Sequence, residues 1–169
     1  MNLLIVIPCY NHNSYIDILL KEIQFSYSNP VLVIDDGSHI PLNISNHKDV
    51  TLIKNTHNMG KGYSIIKAAV YAKKKLFTHI LTIDSDMQHP TSYIEEFIKI
   101  DTTYEFVYGR RVFFKQMPIL RSLSNYITSN ILSFICNKKI FDTQCGYRRY
   151  SLIMFKNVSF KEYGYQFES

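Results

Sequence analysis

Tryptophan is absent from the 169 residues, and cysteine occurs only three times, as Cys9, Cys136 and Cys145. The missing Trp says little by itself, because Tyr (13) and Phe (11) are plentiful. The cysteines say more. An odd number without metal-ligand spacing argues against a disulfide framework or a cysteine-held zinc ion, and the expected state is free thiols in a reducing cytosol. No stretch reaches the roughly 18 apolar residues that span a bilayer. The apolar start from Met1 to Ile7 has no basic n-region, is too short for a signal peptide and ends at Pro8, so it is expected to be the first strand of a sheet.

Long basic runs are missing too. Lys73-Lys74-Lys75 is short and falls on an expected helix, so nucleic acid is not an expected partner. The formal charge of +5 fits an anionic substrate or a membrane surface, and equally a basic solvated face. No Gly-x-Gly-x-x-Gly follows the first strand, which counts against a dinucleotide dehydrogenase, and the Walker A spacing is absent. With no repeat, low-complexity linker or boundary, residues 1–169 are read as a single domain, long enough for one real core and too short for two.

Apolar, β-branched runs alternate with amphipathic stretches. Strands are expected at Leu3–Ile7, Val31–Ile34, Val50–Lys54, Ile80–Ile83 and Phe106–Tyr108. A helix is expected from Ser14, with Asp17 completing a capping box and Ile16, Leu19, Leu20 and Ile23 inward. A second runs from Tyr63 to Lys75 with Ile65, Ile66, Ala69 and Ala72 inward, and a third is capped by Ser92 and Glu95 with Ile94, Phe97 and Ile98 inside. Ile40 to Lys48 reads as loop. Pro118 to Cys136 reads as one or two helices whose stripe from Ile119 to Ile135 is core; in a second reading part of it faces a membrane, with Lys115 and Arg121 at the headgroups. Asp142 to Tyr150 reads as irregular or a short strand. Strand-helix alternation implies an α/β fold with a mainly parallel sheet covered on both faces.

Several strands end in charge. Asp84 and Asp86, with Gln88, place hard oxygen donors at alternate positions just beyond an apolar strand, where open α/β sheets bind ligands. That set suits Mg²⁺ or Mn²⁺ carried partly by phosphate; a solvated acidic turn is the plainer alternative. Asp35-Asp36-Gly37-Ser38 can bind a ribose or base edge, or be a simple Asp-Gly turn. Asn58-Met59-Gly60-Lys61-Gly62 can form an anion loop before a helix. Arg110 and Arg111 can grip a diphosphate, or simply be solvated. The histidines are read as surface or loop residues, apart from His89.

Taken together in chain order, Pro8-Cys9-Tyr10-Asn11, Val33-Ile34-Asp35-Asp36-Gly37-Ser38, Asn58-Met59-Gly60-Lys61-Gly62, Asp84-Ser85-Asp86-Met87-Gln88-His89-Pro90, Gly109-Arg110-Arg111 and Asp142-Thr143-Gln144-Cys145-Gly146-Tyr147-Arg148 resemble family 2 glycosyltransferases of the GT-A fold. Within them the chain most resembles the dolichol-phosphate mannosyltransferase and polyprenyl-phosphate glycosyltransferase branch, over nearly its whole length. The resemblance implies a Rossmann-like, mainly parallel sheet sandwiched between helices. It also implies inverting, metal-dependent transfer of a sugar from a GDP- or UDP-sugar to a polyprenyl phosphate or a growing cell-surface glycan.

Residue by residue, the resemblance implies a nucleotide-sugar site from Pro8, Tyr10, Asn11, Asp35, Asp36, Lys61, Asp84, Ser85 and Arg111, with Pro8 and Tyr10 at the base and Asp36 at the base or ribose. It assigns Asp86 and Gln88 to a Mn²⁺ or Mg²⁺ ion bridging the diphosphate. Arg121 and Arg148 would meet acceptor or phosphate; Asp142, near the acceptor side, and Glu168 would be the catalytic residues, either of them able to serve as general base. The expected setting is cytoplasmic, with peripheral contact at the inner face of a membrane as an option.

There are two departures. His12 replaces the family's acid after Tyr-Asn, removing one nucleotide contact, and the chain stops where the family usually continues. The alternative expectation is therefore a nucleotide-sugar-binding module without transferase activity. A haloacid-type phosphatase fits badly, because Gln88 stands where that class needs Thr or Val and the motif lies mid-chain. A sugar nucleotidyltransferase would carry a Gly- and Arg-rich loop after the first strand, which Pro8-Cys9-Tyr10-Asn11 is not.

Overall fold

The structure, a computed structural model, describes residues 1–110 and 145–156 and, between them, residues 128, 130, 131, 133, 134, 137, 139 and 142. Its centre is a six-stranded sheet. The strands are β1 (Leu3–Cys9), β2 (Val31–Asp35), β3 (Val50–Lys54), β4 (His79–Thr82), β5 (Phe106–Tyr108) and β6 (Arg148–Ser151), in the spatial order β3-β2-β1-β4-β6-β5. β1 to β4 pair in parallel, and β6 runs antiparallel between β4 and β5. The expected mainly parallel α/β sheet is therefore present, with a reversed strand near one edge.

Alternation along β1 divides the core. Leu3, Ile5 and Ile7 face one side, where they pack with Ile16, Leu19, Leu20 and Ile23 of α1 (Asn13–Ser26) and with Ile94 and Phe97 of α3 (Tyr93–Lys99). Leu4 and Val6 face the other side, against Ile65, Ala68, Ala69 and Ala72 of α2 (Lys61–Lys74). Each fully buried Leu or Ile contributes on the order of 2 kcal/mol, so these two layers are what hold the sheet between its helices. The chain moves outward from β1 to β3 and then returns across the sheet to β4. The topological switch point thus lies between β1 and β4, and a ligand crevice is expected beyond their carboxyl ends.

The sequence expectations differ from the structure in detail. β1 extends through Pro8 and Cys9, which stay in register with Ile34 and Asp35. Proline is tolerated there because pairing with β4 stops at Val6, leaving one side of the strand free. β4 is shifted by one residue toward His79, which is buried rather than a surface histidine. α2 begins at Lys61, and Ala68 takes the inward place expected for the half-buried Ile66, because the helical face falls on 65, 68, 69 and 72.

Neither expected capping box forms. His12 and Ser92 stand at the N-caps without side-chain cap bonds; Asp17 instead pairs with Lys21 and His47, and Glu95 with Lys99, one helical turn on. Of the expected helix over 118–136, residues 128, 130, 131, 133 and 134 are helical and the others lie outside the described residues. Ile131 is 54% exposed and belongs to neither core layer, so it is not the core residue the apolar stripe predicts. Among the described residues no helix is long and apolar enough to cross a membrane.

Candidate active site

The loops that leave β1, β2 and β4 converge at the switch point and are tied to one another by side chains. After β1, Asn11 adopts a left-handed conformation (φ 59°), one of the few non-glycine residues to do so. Its backbone N–H donates to Ser38 Oγ at 3.0 Å, and its Oδ1 accepts from the His39 N–H at 2.9 Å. The β1 and β2 loops are thereby locked together. Tyr10, 38% exposed, stands edge-on to His39 with ring centroids 6.0 Å apart.

Asp35 and Asp36 both lie in the interior, and both bind the chain itself. Asp35 accepts from the Ser38 N–H at 3.0 Å and the Leu42 N–H at 3.2 Å, which folds the loop after β2 back over the strand end. Asp36 accepts from Asn55 Nδ2 at 2.6 Å, the Met59 N–H at 3.0 Å and the Gly60 N–H at 2.9 Å. Backbone N–H groups aimed at a carboxylate satisfy its charge without a counter-ion. Asp36 therefore anchors the Asn58-Met59-Gly60 loop, and the next residue is Lys61. A carboxylate has about four acceptor positions, and three of those on Asp36 are taken within the chain.

Lys61, the first residue of α2, reaches Asp84 beyond β4, with Nζ 2.6 Å from Oδ1. Both side chains are mostly covered, at 16% and 26% exposure, so this pair is screened less than a surface ion pair. Ser85 is buried and sits 3.2 Å from His12 Nδ1. It also meets the Cys9 thiol, which burial pushes up in pKa and the Ser85 contact pulls back. Asp86 Oδ1 accepts from the Gln88 N–H at 3.0 Å across Met87, whose φ is 57°. The three-residue turn holds Asp86 half-buried and leaves the Gln88 side chain exposed.

Among the described residues no group of three or more His, Cys, Asp or Glu can hold a metal. Asp86 and Gln88 fit an ion of a different kind, one that takes most of its oxygens from phosphate and water and one or two from protein. The donor set suits Mg²⁺ or Mn²⁺ on those terms.

On the β6 side, Arg148 stands opposite Thr82, the last residue of β4, so it lies at the same sheet edge as Asp84. Arg148 is buried and its Nε donates to Cys145 O at 2.9 Å. Asp142 is 1% exposed and has an internal partner. Tyr147 stacks on Phe97, donates to Pro90 O at 3.1 Å and lies edge-on to His89, and burial pushes its phenol well above the usual tyrosine pKa. Arg111, Arg121 and Glu168 lie outside the described residues.

The structure thus gathers Asp36, Lys61, Asp84, Ser85 and Arg148 on one edge, with Asn11 and Tyr10 on the adjoining loops. The hydrogen bond described for Asp86 is the one from the Gln88 backbone N–H. Sequence reasoning assigned no role to Gly146, Asn55 or Thr82. Thr82 Oγ1 donates to Gly146 O at 3.0 Å, and a side chain on Gly146 would collide with the Asp84 carboxylate. Only the Gly inside the Asp142–Arg148 motif signalled it.

The sequence model of glycosyl transferase family 2 matches residues 4–164. The chain belongs to glycosyl transferase family 2. Its curated relatives include the uncharacterized protein MJ1222 of Methanocaldococcus jannaschii, 26% identical over 91% of this chain and 66% of that protein. Another is the UDP-N-acetylglucosamine–dolichyl-phosphate N-acetylglucosaminyltransferase of Methanococcus voltae, 25% identical over 92% of this chain and 71% of that protein. The fold of this family 2 chain matches glucosyl-3-phosphoglycerate synthase from Mycobacterium tuberculosis, solved with Mn²⁺, uridine diphosphate and glucosyl-3-phosphoglycerate. There the TM-score is 0.76 at 15% identity, over 99% of this chain and 62% of the synthase. Mannosyl-3-phosphoglycerate synthase from Rubrobacter xylanophilus matches with a TM-score of 0.70 at 15% identity, over 92% of this chain and 54% of that one. The chain therefore spans about two thirds of the length of the curated relatives it matches, and the GT-A fold expected from its motifs is the fold it has.

Proposed function

We propose that this family 2 chain transfers a sugar from a nucleoside diphosphate sugar, with inversion, to a polyprenyl phosphate or another anionic or glycan acceptor. The observation that carries the reading is the Lys61–Asp84 pair beside the Asp86 turn, at the switch point between β1 and β4. The family match supports the reaction class, and the name of the Methanococcus voltae relative supports a UDP-sugar and a lipid phosphate. The synthase structures, solved with Mn²⁺ and uridine diphosphate, support a divalent ion.

In this reading Pro8, Tyr10 and Asn11 line the base side of the donor pocket, and Asp36 meets the base or ribose. Asp84 faces the sugar. Asp86 and Gln88 would hold the divalent ion, which when bound would supply positive charge to offset the charge growing on the diphosphate leaving group. Arg148, with Arg111 and Arg121, meets phosphate. The acceptor oxygen attacks the anomeric carbon in line as the diphosphate leaves. A phosphate acceptor is already anionic and needs no base. A hydroxyl acceptor needs one, and Glu168 is the candidate, since the buried and partnered Asp142 is better suited to positioning the acceptor side.

The test is a thermal-shift panel of GDP- and UDP-sugars with and without Mn²⁺. One of them raises Tm in a metal-dependent way, and Asp86→Ala abolishes the metal-dependent part. If no nucleotide sugar moves Tm, the donor reading fails. Stabilisation without transfer to any polyprenyl phosphate or glycan would favour the binding-module reading.

A further inference from the structure

The Asp84 carboxylate occupies the space that a side chain at position 146 would take. A Cβ built on Gly146 would fall within the Asp84 carboxyl group, closest to Oδ2, with Oδ1 and Cγ also inside contact distance. The glycine is not there for its backbone. Among the described residues the glycines with positive φ are Gly37 and Gly60, and Gly146 is not one of them, so a left-handed backbone is not the reason for glycine at 146. What glycine provides is the space that the carboxylate fills.

The seat is itself held in place. The Gly146 carbonyl accepts from Thr82 Oγ1 at 3.0 Å, and the same hydroxyl lies 3.3 Å from Arg148 O, so the end of β4 fixes the chain on both sides of Tyr147. Thr82 is fully buried, and its bonds are shielded from water. On the opposite side, Lys61 Nζ binds Asp84 Oδ1 at 2.6 Å, and Lys61 is carried by the loop that Asp36 anchors through Met59 and Gly60. The carboxylate is thus clamped between the start of α2 and the segment entering β6, while Asp84 itself follows β4.

We propose that Gly146 is a positioning residue for the donor site: the space at its Cα and the Lys61 ammonium together fix the Asp84 carboxylate in the orientation that receives the sugar. The donor part of this statement rests on the proposed function; the clamp does not. The obstacle an alanine would meet is the end of a short side chain, not backbone, so the clash is relieved by rotating Asp84 and the fold survives. Rotation costs the ion pair and the preorganised carboxylate. A displacement of about 1 Å in a group that orients substrate is enough to lower turnover by roughly a hundredfold. A glycine whose role was only to permit tight strand packing would give the opposite pattern, with lost stability and an unmoved Asp84.

The experiment is a crystal structure of Gly146→Ala together with titrations of a nucleoside diphosphate and its sugar derivative in the presence of Mn²⁺. The expected structure has the Asp84 carboxylate rotated and its distance to Lys61 Nζ beyond 4 Å, with Tm within a few degrees of wild type. The expected binding is at least tenfold weaker for the nucleotide sugar and within about twofold of wild type for the nucleoside diphosphate. Should Gly146→Ala fail to fold, Lys61→Met removes the other jaw without adding an atom at 146, and the Asp84 carboxylate is expected to lose its single fixed orientation. An Asp84 that stays in place in the variant overturns the proposal. A displaced Asp84 in a protein whose wild type binds no nucleotide sugar upholds the clamp and overturns the donor reading, so the two failures are told apart.

Discussion

His12 Nδ1 lies 3.2 Å from Ser85 Oγ, and this contact joins the loop after β1 to the loop after β4 across the switch point. Position 12, where the sequence resemblance implies an acid, carries a histidine whose ring nitrogen has an internal partner. His12→Ala is expected to cost about 1 kcal/mol, the net worth of a partly buried hydrogen bond. Ser85→Ala added to it should cost clearly less than Ser85→Ala alone, because the two share the bond. Urea denaturation of the four proteins in the cycle measures this, and strict additivity would show that the contact contributes nothing.

Asp36 accepts three hydrogen bonds in the interior, from Asn55, Met59 and Gly60. Asp36→Asn keeps the shape and replaces one acceptor oxygen by an NH₂ that must face an N–H or amide donor. A loss of about 3 kcal/mol is expected, since a buried donor is left unpaired and a charge-assisted bond is removed. A loss below about 1 kcal/mol by denaturation would mean that the loop before Lys61 is held by something else.

The contrast between these elements explains what was legible in the sequence. β1, β2 and β4 were read from apolar runs, because a strand buried on both faces must be largely apolar, and the half-buried edge strand β3 from a shorter run of the same kind. The three helices were read from their 3.6-residue stripes. β6 was legible only as an irregular segment or a short strand, because Arg148 and Arg149 stand in the middle of a sheet where charge is unexpected. Arg149 is tolerated because its guanidinium donates to the carbonyls of Phe97, Ile100 and Asp101 at the end of α3, a partner set that exists only in three dimensions. The acids of the site were visible as strand-end motifs, but their tasks were not. Nothing local distinguishes Asp36, which organises backbone, from Asp84, which is held by a lysine 23 residues away.

Gly37 offers a comparison with Gly146. It has φ +75°, and a Cβ on it would lie 2.6 Å from His57 Cα and 2.7 Å from Asn58 N, both backbone atoms. Here neither the conformation nor the obstacle can yield cheaply. Gly37→Ala is expected to destabilise by about 3 kcal/mol, combining left-handed strain of about 1 kcal/mol with an overpacking cost of about 2 kcal/mol. Thermal unfolding of Gly37→Ala beside Gly146→Ala should show a large drop for the first and a small one for the second; equal drops would contradict the distinction.

His79 opens β4 in the interior, with Nδ1 2.9 Å from Thr78 Oγ1. Burial lowers its pKa from the ordinary 6.5, and the Arg149 charge and the N-terminus lower it further, with a backbone carbonyl at Thr102 partly opposing them. The folded state therefore resists a proton that the unfolded chain accepts near pH 6.5. In the window below 6.5 the unfolded state binds more protons, so stability rises with pH there and falls as the solution is acidified toward the folded pKa. The expected result is a loss of stability for wild type between pH 7.5 and 5 that is shallower in His79→Gln, which cannot titrate. The variant has its own constant cost, so the comparison lies in the slopes of denaturation free energy against pH. Parallel slopes would mean that His79 takes up its proton as readily folded as unfolded, and that the burial at the head of β4 exacts no electrostatic penalty.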